Sequence, residues 1–243
     1  MALAGMYHHF QPVVSLDSGG IVGYEALMRI PGRSTQTVLA ELCRRGDADL
    51  LRALDEQSVK NAAAVARDFL PRGCRLFINL THASLEALVA GAEPPPTHGQ
   101  PVVWELAESA ATAAVLARPG ALSALAGRFT VALDDVGDGR SDLWRLSEAV
   151  HLGLSWIKVA RSLVDGCAVD PGRQAVLRSV AALGVPVVAE GAERWADVAA
   201  AGAAGVRHVQ GFVLGRPAPA QRAASAGERA ASLSRALRPI VSP

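Results

Sequence analysis

The stretch Phe129-Thr130-Val131-Ala132-Leu133-Asp134-Asp135-Val136-Gly137-Asp138-Gly139 decides how the rest of the chain is read. A short apolar, β-leaning run ends at two adjacent carboxylates, and a glycine-punctuated loop follows. Like charges side by side repel unless solvent, cations or hydrogen bonds compensate them. Hard divalent cations such as Mg²⁺ are held by carboxylate oxygens of this kind. Strand neighbours point to opposite faces, so both aspartates serve one site only if the strand ends there. Gly137 and Gly139 supply backbone freedom for that turn. Taken alone, the pattern equally describes a solvated aspartate turn at a strand end. It is not an EF-hand loop, because Val136 stands where that loop needs a ligand.

Outward from this strand, the chain alternates. Toward the N-terminus lie strands predicted at 102–106, reaching Glu105, and at 75–80, reaching Asn79. Helices are predicted at 35–45 and 47–69, the second with Asp47 as N-cap and apolar residues at helical spacing. The chain opens with a hairpin: strand 8–16, the turn Asp17-Ser18-Gly19-Gly20, and strand 21–29 carrying Glu25 and Arg29. Pro12 predicts an edge or irregular first strand. Toward the C-terminus come a helix near 142–152, a strand at 154–159 reaching Lys158, and helical residues over 162–183. A strand at 185–189 reaches Glu190, a helix follows near 195–201, and a last strand is predicted at 207–214 with Gln210. Residues 218–237, rich in Ala and Arg, read as a helical tail.

Strand–helix alternation over 243 residues predicts a parallel sheet covered by helices, with enough strands for an eight-stranded barrel. The opening hairpin makes one strand antiparallel. The fold class is therefore α/β, a modified (β/α)₈ TIM-like barrel with one antiparallel strand. With 50% hydrophobic but only 5% aromatic residues, the core must be built from Ala, Val and Leu. A net charge of +1 gives no footprint for a nucleic-acid polymer. No apolar run is long enough to span a bilayer, and residues 1–6 lack a secretory signal pattern. Cys43, Cys74 and Cys167 have no metal-type spacing and are odd in number, which points to a reducing, cytoplasmic setting. The six histidines share no metal spacing either.

One feature carries chemistry. Asn79, Glu105, Asp134, Lys158, Glu190 and Gln210 each stand late in an otherwise apolar strand. In a barrel such positions converge on the C-terminal rim, where active sites are built. The acids and the amide match the oxygen ligands of Mg²⁺ or Mn²⁺, with a lysine among them. Paired divalent ions held this way activate water against phosphate esters. A metal-dependent phosphoryl-transfer site and a series of solvated strand ends are both open at this point.

The same residues resemble the EAL-domain family, phosphodiesterases that hydrolyse cyclic di-GMP. Tyr24-Glu25-Ala26-Leu27-Met28-Arg29 resembles the family signature, and Phe10-Gln11-Pro12-Val13-Val14 its opening strand. Phe77-Ile78-Asn79-Leu80 and Trp104-Glu105-Leu106-Ala107-Glu108 fit the next two motifs. The aspartate loop, Ile157-Lys158-Val159, Val188-Ala189-Glu190-Gly191-Ala192-Glu193 and Val209-Gln210-Gly211-Phe212 with Gly215-Arg216-Pro217 follow in order. The likeness covers about residues 7–220 and implies one domain over 1–243, with 221–243 as a tail.

The resemblance implies two ions, Mg²⁺ or Mn²⁺. Glu25, Asn79, Glu105 and Asp134 would bind the first, and Asp134 would bridge to a second held with Asp135 and Glu190. Lys158 and Glu190 would orient the attacking water or offset transition-state charge. Gln11, Leu27, Arg29 and Gln210 would contact the substrate, and Glu108 and Glu193 would hold the aspartate loop. The implied product is linear pGpG, and a homodimer is the implied assembly. Three departures stand out. Ala160 replaces the usual aspartate two residues after Lys158, which by period-two alternation predicts that Lys158 lacks a carboxylate neighbour. Val136 replaces the usual phenylalanine, and Asp138 a small residue, in a loop near the family's dimer contact. Two readings follow: a metal-dependent cyclic di-GMP phosphodiesterase, or a non-catalytic EAL module that binds cyclic di-GMP or a protein partner.

Overall fold

The computed structural model describes residues 5–107, 109–137 and 143–225. Eight strands close into a barrel in chain order: β1 (Tyr7–Ser15), β2 (Ile21–Arg29), β3 (Arg75–Leu80), β4 (Val102–Ala107), β5 (Thr130–Val136), β6 (Trp156–Val159), β7 (Val187–Ala189) and β8 (His208–Val209). Around them lie α1 (Thr35–Arg45), α2 (Ala48–Phe69), α3 (His82–Val89), α4 (Ala110–Leu116), α5 (Ala121–Ala126), α6 (Leu143–His151), α7 (Arg161–Val164), α8 (Pro171–Ala181) and α9 (Trp195–Ala203). Strands β2 to β8 run parallel, and β1 is antiparallel to both neighbours.

Local signals set most element ends. Ser34 caps α1 by accepting from the Thr37 N–H, and Gly46 ends it in the left-handed region at φ 68°. Asp47 caps α2 by accepting from Leu50 N–H at 3.0 Å. The α2 face formed by Leu51, Leu54, Val59, Ala62 and Ala66 is buried. Of the two alternatives for the first strand the irregular one holds, with a register shift between Val13 and Val14, since a closed barrel has no edge. One expectation needs correction. The last strand stops at Val209 rather than running to 214. At Gly211 a Cβ would lie 2.1 Å from the Ala192 carbonyl oxygen, so the chain turns there against backbone. The expected tail beyond residue 225 lies outside the described residues.

The barrel interior is layered, and the layers locate the site. Val13, Phe77, Val103, Ala132, Trp156 and Val188 form a cluster of their own inside the strands. On β3 to β7, two residues further toward the strand ends, stand Asn79, Glu105, Asp134, Lys158 and Glu190. Gln11 lies two residues before Val13, as the reversed direction of β1 requires. Glu25 follows Gly23 and Gln210 follows His208 by the same step. Gly23 must be glycine, since its Cβ would sit 2.5 Å from the Arg75 carbonyl oxygen and 2.9 Å from the Phe77 ring. Because side chains repeat every second residue, the apolar layer plugs the barrel and the polar layer above it faces the mouth.

On the outer face of β1, His8 Nε2 pairs with Ser58 Oγ on α2 at 2.9 Å. Burial, with the Arg29 charge adding to it, lowers the His8 pKa to about 4. The unfolded chain takes this proton near 6.5, so between the two values it binds more protons than the folded state. His8 therefore makes stability fall as pH drops from 6.5 to 4, by at most about 3 kcal/mol. Denaturant titrations of His8→Gln are expected to show a flatter pH dependence across that window than the wild type; matching slopes would contradict this.

Candidate active site

Hydrogen bonds join the polar layer into one network. Asn79 Nδ2 donates to Glu25 Oε1 at 3.2 Å and to Glu105 Oε2 at 2.8 Å. Gln210 Nε2 donates to Glu25 Oε2 at 2.5 Å and to Gln11 Oε1 at 3.2 Å. Gln11 Nε2 in turn donates to the Gly215 carbonyl at 2.9 Å. Both ends of the Gln11 amide are thus engaged, and the residue ties β1 to the loop after β8.

Lys158 sits at the centre and is fully buried. Its Nζ lies 2.5 Å from Glu105 Oε1, 2.7 Å from Glu190 Oε1, 3.0 Å from Asp134 Oδ1 and 3.5 Å from Glu25 Oε2. The expectation that Ala160 deprives Lys158 of a charged neighbour is therefore wrong. Four other strands supply carboxylates that alternation along β6 cannot reveal. Burial alone would discharge the ammonium, but Asp134, Glu105, Glu190 and Glu25 outweigh it and raise its pKa well above the ordinary lysine value.

Asp134 and Asp135 reach one site by a route the sequence does not announce. β5 continues to Val136, and the pairing with β6 shifts register between Leu133 and Val136. Asp135 lies in this bulge at φ 58°, a left-handed conformation that aspartate tolerates better than most residues. Oxygens of Asp134, Asp135 and Glu190 come within 4.8 Å of one another, as do those of Glu25, Glu105 and Asp134. At Gly137, where φ is 108°, a Cβ would lie 2.1 Å from Leu163 Cδ1, so the loop leaves against the helix that follows β6.

The donor set fits divalent cations. The two acidic groups together hold five carboxylates, four of which face the one ammonium, leaving an excess of four negative charges in the cluster if all are ionised. Lys158 Nζ, Glu105 Oε1 and Asp134 Oδ1 are buried without an aligned hydrogen bond, so their contacts are charge against charge. Burial, then repulsion from the neighbouring acids, pushes the Glu105 and Glu190 carboxyls well above the usual range despite Lys158. Such a cluster is relieved by protons or by cations, and its oxygens are already gathered as hard cations need them.

The cluster lies in a cavity of about 850 Å³, lined also by Gln11, Leu27, Arg29 and Gln210. Arg29 Nη1 donates to the Met28 carbonyl at 2.9 Å. Glu193 sits at the rim, with Oε1 3.0 Å from Arg161 Nη1. Glu108 and Asp138 lie outside the described residues. The cavity also takes in Arg33, His82, Arg161 and Phe212, which sequence reasoning did not single out. For Arg161 a signal was present, because it stands three residues after Lys158, at the mouth end of β6.

The fold and site together define a mixed eight-stranded barrel with a ring of acids around a buried lysine at its mouth. A family model for the EAL domain matches residues 2–217, and the chain belongs to that family. It is 29% identical over 233 residues to MucR of Pseudomonas aeruginosa, a bifunctional diguanylate cyclase/cyclic di-GMP phosphodiesterase, covering 88% of this chain and 33% of MucR. The chain spans about a third of the length of the curated relatives it matches. The solved PaMucR phosphodiesterase in complex with c-di-GMP superposes with a TM-score of 0.71 at 27% identity, covering 89% of this chain and 93% of that one. The calcium/c-di-GMP complex of Klebsiella pneumoniae BlrP1 gives 0.71 at 28% identity, over 90% of this chain and 57% of that one. A manganese/c-di-GMP complex of BlrP1 is also similar, at 0.70. Among the described residues, no helix is long and apolar enough to cross a membrane.

Proposed function

We propose that this chain is a metal-dependent phosphodiesterase that hydrolyses cyclic di-GMP to linear pGpG. The observation that carries this reading is the buried ring in which four carboxylates converge on Lys158 within 3.5 Å. Glu25, Asn79, Glu105 and Asp134 would hold one Mg²⁺ or Mn²⁺, and Asp134, Asp135 and Glu190 a second. Bound there, such ions lower the pKa of water and offset phosphate charge. Glu190 accepts a hydrogen bond from the attacking water and aims it at phosphorus. Lys158 Nζ holds positive charge beside the phosphate oxygens as negative charge grows on them. The P–O3′ bond breaks, the 3′ oxygen takes a proton, and the new 5′ phosphate gains the water oxygen.

Arg29 contacts the ligand from the β2 wall, with Leu27 beside it. Gln11 and Gln210 act mainly by holding Glu25 and the Gly215 loop. Glu193, with Glu108, supports the aspartate loop. In this reading the barrel works in the cytoplasm and pairs as a homodimer.

Incubating the purified protein with cyclic di-GMP and Mn²⁺ or Mg²⁺, followed by chromatography of the products, tests this. Formation of pGpG is expected. Val136, where the family usually has phenylalanine, favours one alternative, a module that binds cyclic di-GMP or a protein without cleaving the dinucleotide. Tight binding with no product would select it. Arg29→Ala is expected to weaken cyclic di-GMP binding by about 1.5–3 kcal/mol, the range for a charge-assisted hydrogen bond. An unchanged dissociation constant would remove Arg29 from the ligand site.

A further inference from the structure

A cyclic dinucleotide carries two phosphodiesters, and the mouth of this barrel is strongly acidic. A bound ligand needs a cation for each phosphate, or the phosphate outside the metal cluster is repelled. Lys158 is buried among the carboxylates of the proposed metal cluster, so its charge serves the phosphate there and not the second one. Three of the described arginines line the cavity; Arg33 is paired with Glu41 Oε2 at 2.8 Å, and Arg29 and Arg161 stand on facing walls. Arg29 ends β2 and Arg161 follows β6, and strands two and six of a closed eight-membered ring are diametrically opposed.

The position of Arg161 is built. Its stem crosses Gly191, where a Cβ would lie 2.5 Å from Arg161 Cγ and 2.6 Å from Arg161 Cβ. Gly191 also has φ 65°, so a side chain there is excluded by strain as well as by space. At the tip, Nη1 meets Glu193 Oε1 at 3.0 Å, while the side chain stays 56% exposed. A guanidinium has five donors in a planar fork, and one carboxylate at its edge leaves several for a ligand.

From this placement, and resting on the reading of the site given above, we infer that Arg161 is the second phosphate contact. It receives the phosphodiester opposite the one held from the Arg29 side, and so selects ligands with two phosphates over those with one. Glu193 orients the guanidinium while the cavity is empty of ligand and competes with the phosphate for it.

The test is calorimetric titration in Ca²⁺, the ion of one similar ligand complex. Wild type, Arg161→Gln, Arg161→Lys and Glu193→Gln are titrated with cyclic di-GMP and with GMP, which has a single phosphate. Arg161→Gln is expected to weaken cyclic di-GMP binding about ten- to a hundredfold and to leave GMP binding within about twofold. Arg161→Lys is expected to fall between it and wild type, and Glu193→Gln to bind cyclic di-GMP more tightly. Equal affinity of wild type and Arg161→Gln for cyclic di-GMP overturns this inference and leaves the reading of the site standing. An equal loss for GMP, or a loss in Glu193→Gln matching that of Arg161→Gln, also overturns it, because the pair would then be structural. If wild type does not bind cyclic di-GMP, the reading of the site fails and this inference fails with it.

Discussion

Glu25→Ala is expected to lower turnover of cyclic di-GMP on the order of a thousandfold, and chelation of divalent ions to abolish it in the wild type. Glu25 contributes one of the three oxygens that come together in the first acidic group. It is also the acceptor that links two halves of the network, from Asn79 on one side and Gln210 on the other. Alanine removes the oxygen and leaves Asn79 with only Glu105 and Gln210 with only Gln11 as acceptor, so the first acidic group loses a ligand and the network is cut in two. Mg²⁺ or Mn²⁺ should restore the chelated wild type. Ca²⁺ should inhibit, because its larger radius and looser coordination suit an in-line displacement poorly. The measurement is product formation with and without chelator, together with Mn²⁺ titration of both proteins. Full turnover in excess chelator would sink the metal-dependent reading.

Lys158→Met is expected to cost about 3–5 kcal/mol of stability in chelator near neutral pH, as when one partner of a buried ion pair is removed. The ammonium is fully buried and is the cation that Glu25, Glu105, Asp134 and Glu190 share. Methionine fills similar space but leaves the carboxylates facing one another. The sign with pH follows from the acids. Glu105 and Glu190 already have folded-state pKa values raised above those of the unfolded chain, and losing Lys158 raises them further. A raised acid is most costly above its folded pKa, and the cost shrinks as pH falls toward the ordinary carboxylate range. The deficit of Lys158→Met should therefore be large at pH 8, smaller at pH 5, and partly repaired by Mn²⁺. Urea unfolding at both pH values, with and without Mn²⁺, measures it. A variant as stable as wild type in chelator at pH 8 would mean that Lys158 does not hold the cluster together. Turnover of the variant should also fall, by about a hundredfold or more, since the positive charge beside the phosphate is lost.

Several particulars separate what was legible from what was not. The cap Asp47 could be read locally, because a cap acts within a turn of the residue it serves. The polar residue late in each strand was legible for the same reason, since period two ties it to the apolar residue before it. Other features were not local. The left-handed Asp135 depends on a register shift against β6. The end of β8 depends on the approach of Ala192 backbone to Gly211. Ala160 looked like a missing charge only because the neighbours of Lys158 along its own strand were the ones in view.

The alternation of strands and helices, the reversed opening strand and six of the positions that face the mouth were determined by the sequence, because each follows from periodicity and turn chemistry within about ten residues. Which of those positions touch was decided by tertiary structure alone. Closing eight strands fixes a stagger between neighbours, and that stagger is a property of the whole ring rather than of any strand in it. It sets Lys158 against carboxylates from β2, β4, β5 and the end of β7, and it brings Arg161 and Arg29 to the lining of one cavity.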